Sequence, residues 1–183
     1  ETGRLLIVDE AYADFAGCSV LPLVRTYDNL LIVRTFSKSR SLAGLRVGAA
    51  YGQPPLIRAL ETVRDSVNSY TVDRLAQRLA IASLEDEEIY NRQLAEIVRT
   101  REAVTRAAQE LNLTVIPSQA NFLLLGVPGW DGARLLGWLR ERGVLVRYFA
   151  GEPLQNMVRV TIGRPEEMSR LLDLLKEAKD EAG

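Results

Sequence analysis

Residues 34–48 read RTFSKSRSLAGLRVG. Four basic residues, three serines and two glycines crowd into this stretch. It directly follows Asn29-Leu30-Leu31-Ile32-Val33, an apolar run that reads as a strand entering a core. A buried strand that ends on Ser37-Lys38-Ser39 delivers polar groups to its carboxyl edge. In open α/β sheets that edge is where ligands bind.

Working outward, Arg4-Leu5-Leu6-Ile7-Val8 is a second short apolar run, ending at Asp9-Glu10. Continuous runs of this kind suit strands buried on both faces of a parallel sheet. A third strand is expected over 45–51, closed by Gly52. Pro54 and Pro55 suit a helical first turn and open a helix over 54–67. Its apolar positions Leu56, Ile57, Leu60 and Val63 recur at helical spacing. A second helix follows over 72–84, with Leu75, Leu79 and Ala82 on one face. The longest helix is expected over 85–111. It opens on Glu85, Asp86, Glu87 and Glu88, which favour the positive end of a helix dipole.

From residue 113 the texture changes. Strands are expected at 114–116, 121–127, 144–147 and 157–162. Helices are expected at 130–142, ending at Gly143 as a left-handed cap, and at 165–182, with Pro165 in the first turn. This β-β-α-β-β-α order predicts a small α+β unit with its helices on one face of a sheet. The division is placed at 84/85, giving 1–84 and 85–183. Trp130 and Trp138 read as core. The chain shows no internal repeat and no low-complexity tract.

Composition narrows the chemistry. The 183 residues are 47% hydrophobic and 26% charged, with a formal charge of −1. That balance argues against a general nucleic-acid binder. No apolar run is long enough to span a bilayer, and no signal peptide is visible. A single cysteine, Cys18, excludes an internal disulfide and fits a cytoplasmic protein. With no histidine, Ser-His-Asp and Cys-His nucleophiles and His-ligated zinc are excluded within this sequence. Acid–base work falls to Lys, Asp, Glu or Tyr.

Asp9 and Lys38 each end an apolar strand, so both should reach the same sheet edge. Taken singly, Asp9 reads as a helix cap or loop acid, Tyr12 as packing and Lys38 as a solvated surface group. Together with Ser37 and Arg46 they form a more specific set: a reactive amine, a carboxylate and an anion site. A nucleotide phosphate loop is the competing idea, but neither GxxxxGK[ST] nor GxGxxG occurs. Pyridoxal phosphate needs such a lysine, such an acid and such a cationic pocket.

Thr35-Phe36-Ser37-Lys38-Ser39-Arg40-Ser41-Leu42-Ala43-Gly44 resembles the lysine-attachment motif of the fold-type I PLP-dependent aminotransferases. Val8-Asp9-Glu10-Ala11-Tyr12 resembles their strand-end Asp-x-x-Tyr. VDEAYADF, TFSKSRSLAGLRVG, SQANFLLL, GVLVR and VRVTIGRPEEM are similar, in order, to segments of the histidinol-phosphate aminotransferases. The resemblance covers nearly the whole chain. It implies an α/β fold: part of an aspartate aminotransferase-like large domain followed by a small α+β domain.

The resemblance also implies roles. Lys38 would attach pyridoxal 5′-phosphate and move the substrate's α-proton. Asp9 would keep the pyridine nitrogen protonated, and Tyr12 would hydrogen-bond the ring oxygen. Ser37 and Arg46 would bind the cofactor phosphate, Arg being suited to bidentate contact. Arg159 would grip a substrate carboxylate, with Arg147 near a substrate phosphate and Asn121 ordering nearby backbone. The implied reaction moves an amino group between histidinol phosphate and 2-oxoglutarate in a cytoplasmic homodimer. Family chains are roughly twice this length by domain-size reasoning. The sequence is therefore expected to be a carboxyl-terminal half, inactive or nearly so alone. Threonine-phosphate decarboxylase, an aromatic or alanine aminotransferase, and an aminotransferase-like sensor domain of a transcription regulator share the pattern.

Overall fold

A computed structural model describes residues 3–181. The chain forms two compact units, Glu1–Leu94 and Ala95–Gly183, dividing at Leu94/Ala95 rather than at 84/85.

In the first unit, β1 (Leu6–Asp9), β2 (Leu30–Thr35) and β3 (Gly48–Gly52) form one sheet in that order. β1 and β2 are parallel, with Asp9 opposite Val33. β2 and β3 are antiparallel, with Thr35 opposite Gly48. Leu30, Leu31 and Ile32 are buried, because β2 alone has a neighbour on each side. β1 departs from the expected double burial. Leu5, Leu6 and Ile7 are each more than half exposed, since β1 is an edge strand among the described residues.

A four-residue helix, α1 (Ala13–Ala16), follows β1 and buries Phe15. The expected strand at 45–51 starts later, because Ala43–Leu45 forms a 3₁₀ turn. The next helix, α2 (Pro54–Val67), begins on its prolines as expected, but Val63 and Val67 are exposed. α3 (Arg74–Glu85) starts where the Asp73 carboxylate accepts from the Ala76 N–H at 2.8 Å. Ala76 and Ala80 pack inward against Val47, Phe36, Leu45 and Val72, while Leu75 and Leu79 face out. The long helix α4 (Glu87–Glu110) is separated from α3 by Asp86. The Asp86 carboxylate accepts from the Ile89 N–H at 3.2 Å, so it caps α4 instead of lying inside it.

In the second unit, β4 (Thr114–Ile116), β5 (Phe122–Gly126), β6 (Arg147–Tyr148) and β7 (Val158–Thr161) form an antiparallel sheet in the order β4-β5-β7-β6. The helices are α5 (Gly132–Glu141) and α6 (Pro165–Asp180). Strand alternation sends Leu123, Leu125, Val158 and Val160 inward to meet Val104, Leu135, Leu139, Leu171 and Leu175 in one core. Trp130 and Trp138 join it edge to face, with centroids 5.8 Å apart. Gly143 ends α5 at φ 76°, and the Val144 N–H closes back on the Leu139 carbonyl at 2.9 Å. That closure removes residues 144–146 from the expected strand, and Leu145 is exposed.

Candidate active site

The parallel pairing of β1 and β2 brings their carboxyl ends to one edge. Asp9 closes β1, and its Oδ1 accepts from the Ala11 N–H at 2.9 Å. This turn carries the chain to Tyr12. From β2 the chain runs through Ser37 to Lys38, whose Nζ lies 6.0 Å from the centre of the Tyr12 ring. The Ser37 N–H donates to Thr35 Oγ1 at 3.0 Å. The Leu42 N–H returns to the Phe36 carbonyl at 3.0 Å, closing the Lys38 segment into a loop. Arg46 adopts a left-handed backbone, φ 56°, and its Nη1 donates to the Ala43 carbonyl at 3.0 Å. Lys38 and Arg46 are both exposed. Asp9, Tyr12, Ser37, Lys38 and Arg46 thus belong to one strand edge and its loops.

Behind this edge lies a polar network that the sequence did not suggest. Glu10 is buried. It accepts from Arg34 Nε and Nη2 at 2.9 and 2.7 Å, from Ser19 Oγ at 2.8 Å and from the Val20 N–H at 2.6 Å. Burial alone would push this carboxyl up. Donation by Arg34, Ser19 and Val20 outweighs burial and holds it below the ordinary carboxylate range. Arg34 Nη1 also faces Asp14 Oδ1 at 3.7 Å. Asp14 in turn accepts from the hydroxyl of Ser39, which is 6% exposed. Arg40 stacks over the Tyr90 ring at 3.7 Å and donates to the Ser83 carbonyl. The one signal available beforehand was adjacency: Glu10 and Ser39 are next to Asp9 and Lys38.

The second unit holds the other three candidates. Arg147 and Arg159 are opposite one another across the β6–β7 pair. Their guanidinium carbons lie 5.1 and 5.7 Å from the Phe149 ring centre. Arg159 also lies 5.3 Å from the Phe122 ring, and its Nε is buried with no hydrogen-bond acceptor. Such a donor is costly unless an acceptor arrives. Asn121 precedes β5, and its carbonyl accepts from the Ile162 N–H at 2.9 Å, tying β5 to the end of β7. The nearby Ala120 carbonyl accepts from buried Arg101 at 3.0 Å. No group of three or more metal-ligating side chains occurs among the described residues. No described helix is long and apolar enough to cross a membrane.

The family model for aminotransferase class I and II matches residues 1–175. Histidinol-phosphate aminotransferase 1 of Bradyrhizobium diazoefficiens is 49% identical over 174 residues, covering 95% of this chain and 50% of that protein. The histidinol-phosphate aminotransferase of Syntrophus aciditrophicus is 48% identical over 175 residues, covering 96% and 48%. In three dimensions the chain is similar to the histidinol-phosphate aminotransferase of Sinorhizobium meliloti solved with pyridoxal-5′-phosphate. That match has a TM-score of 0.79 and 29% identity, over 97% of this chain and 48% of the other. The chain spans about half the length of the curated relatives it matches.

Proposed function

The chain belongs to the aminotransferase class I and II family, and from that premise we propose that the protein is a pyridoxal-phosphate-dependent aminotransferase. Its proposed substrates are histidinol phosphate and 2-oxoglutarate. The observation that carries the reading is the shared edge of β1 and β2, where Asp9 ends one strand and Lys38 stands 6.0 Å from Tyr12 beyond the other. The homodimer and the cytoplasmic setting belong to the same proposal and are supported by the family resemblance.

The residues present fit the cofactor. An amine, a carboxylate, a phenol and a cation lie on one edge and its loops, the donor set that an aldehyde-bearing pyridine phosphate requires. Gly48 backs this edge closely, since a Cβ there would stand 2.9 Å from the Arg34 carbonyl. Lys38 would hold the cofactor aldehyde, Asp9 the ring nitrogen, Tyr12 the ring oxygen, and Ser37 with Arg46 the phosphate. When bound, pyridoxal phosphate supplies an electron sink for the pair left behind as the substrate's α-proton departs.

The chain's own work is proton placement and anion binding. Lys38 would take the proton from the substrate α-carbon and hold it for return. Asp9, a carboxylate-bearing residue at the strand end, would favour a proton on a ring nitrogen bound beside it. Arg159 presents a buried unpaired Nε, and Arg147 stands opposite it. Two cations suit substrates that carry a carboxylate or a phosphate. Asn121 shapes the backbone between β5 and β7.

Borohydride reduction in the presence of pyridoxal phosphate, followed by peptide mapping, tests the cofactor site. The expected adduct is on Lys38, and an adduct elsewhere in its place overturns the assignment. Side-by-side turnover of histidinol phosphate, threonine phosphate and phenylalanine by the whole protein tests the substrate. A preference for either of the latter two overturns that part.

A further inference from the structure

Each of the three residues nearest the proposed chemistry has a close neighbour in the polar network. Glu10 adjoins Asp9, Asp14 follows Tyr12 by two, and Ser39 adjoins Lys38. Asp14 is where these strands of the network converge. It accepts from Ser39, it faces Arg34 at 3.7 Å, and through Arg34 it is joined to Glu10. The Tyr90 hydroxyl lies near Asp14 and Ser39. Burial first, then the Asp14 carboxylate, raise the Tyr90 hydroxyl above the usual tyrosine range, so it remains a donor.

We propose that Asp14 is a positioning residue: by accepting from Ser39 while facing Arg34, its carboxylate fixes the loop that holds Lys38 against the Asp9–Tyr12 end of β1. The inference rests on reading Lys38 as the reacting amine. Lys38 is itself exposed, so its place depends on what its neighbours hold. The loop includes Ser41 in the left-handed region, φ 57°. A non-glycine residue stays there only when its surroundings over-determine it. The backbone bonds inside the loop are Ser41 N–H to the Lys38 carbonyl at 3.1 Å and Leu42 N–H to the Phe36 carbonyl at 3.0 Å. The Ser39–Asp14 bond ties the middle of this loop to α1. A reacting amine moved by an ångström loses much of its rate, so the tie has a chemical consequence.

Four variants test this: Asp14→Asn, Ser39→Ala, Ser39→Thr and Tyr90→Phe. The first readout is peptide-level hydrogen exchange. Losing a hydrogen bond to a charged group should speed exchange of the Ser41 and Leu42 amides about tenfold in Asp14→Asn and Ser39→Ala. Ser39→Thr keeps the hydroxyl and should restore protection. Tyr90→Phe keeps the ring beneath Arg40 and should give a smaller increase. The amides of β5 should not change in any variant. The second readout is the borohydride-trapped pyridoxyl adduct on Lys38 relative to Lys176 and Lys179, the chain's other lysines. That ratio should fall in Asp14→Asn and Ser39→Ala and recover in Ser39→Thr. If Asp14→Asn does not fold, the Ser39→Ala and Ser39→Thr pair decides. Unchanged loop exchange or an unchanged Lys38 ratio in Ser39→Ala overturns the proposal. Absence of a Lys38 adduct in the unaltered protein overturns the cofactor reading instead, and loop exchange still decides whether Asp14 holds the loop.

Discussion

Arg147 and Arg159 stand directly opposite each other on the β6–β7 ladder and share the ring of Phe149 between them. Like charges in that position repel by roughly 0.2–1 kcal/mol. Two arginines held so, one with an orphaned Nε, are stabilised when an anion arrives. Inorganic phosphate, compared with chloride at equal ionic strength, is expected to raise the melting temperature through binding to the folded state. Arg147→Gln should reduce that rise and slightly stabilise the anion-free protein. Arg159→Gln should reduce the rise further, leaving only what the proposed Ser37–Arg46 phosphate site contributes. An undiminished phosphate effect in Arg159→Gln, read by calorimetry, would count against the anion site.

Much of this architecture was legible because apolar periodicity reports local structure. The run 29–33 marked β2, and the abrupt change at Ser37-Lys38 marked its end. Alternation at Val158-Arg159-Val160 set Arg159 apart from the core. Other features escaped because they depend on partners elsewhere in the chain. Glu10 meets Arg34, and Asp14 meets Ser39, across 24 and 25 positions, and nothing in a local pattern says which polar groups will meet. The exposure of Leu6 and Ile7 depends on how many strands flank β1, not on the residues of β1. In α3, spacing grouped Leu75 with Leu79, yet the face that meets Val47 and Phe36 is the one carrying Ala76 and Ala80. The Arg147–Arg159 pairing required the register, which alternation within a single strand does not contain.

Arg46 stores backbone strain beside the proposed phosphate site. Its φ of 56° costs a non-glycine residue about 1 kcal/mol, offset in part by one exposed hydrogen bond to Ala43. Arg46→Gly is expected to hold stability or gain up to about 1 kcal/mol, while weakening pyridoxal phosphate binding. Urea denaturation and a cofactor titration on the same sample check both halves. A variant that is less stable yet binds as well as before would contradict the strain argument.

The core of the second unit should respond to a single methyl-rich truncation. Leu175 on α6 is fully buried among Leu139, Leu171 and the inward residues of β5 and β7. Leu175→Ala removes that packing and leaves a cavity, with an expected loss of about 3 kcal/mol. Truncating Leu145, which is 81% exposed, should cost less than about 0.5 kcal/mol. Chemical denaturation of the two variants side by side separates them, and equal losses would contradict the burial assigned to α6.

Glu10 gives the fold a dependence on acid whose sign can be worked out. Its folded-state affinity for protons is lowered by Arg34, Ser19 and the Val20 N–H, against the opposing pull of burial. A carboxyl depressed in this way contributes stability above its unfolded value, near 4.5. That contribution is lost as pH falls through the lower folded value. Glu10→Gln keeps an acceptor but removes the charge that Arg34 faces at 2.7 Å. The expected cost at neutral pH is about 2 kcal/mol. As acid protonates Glu10 in the unaltered protein, the two stability curves should converge. Urea midpoints measured from neutral pH down through the carboxylate range check this. A gap that stays constant with pH would show that the Arg34 pair does not depend on the Glu10 charge.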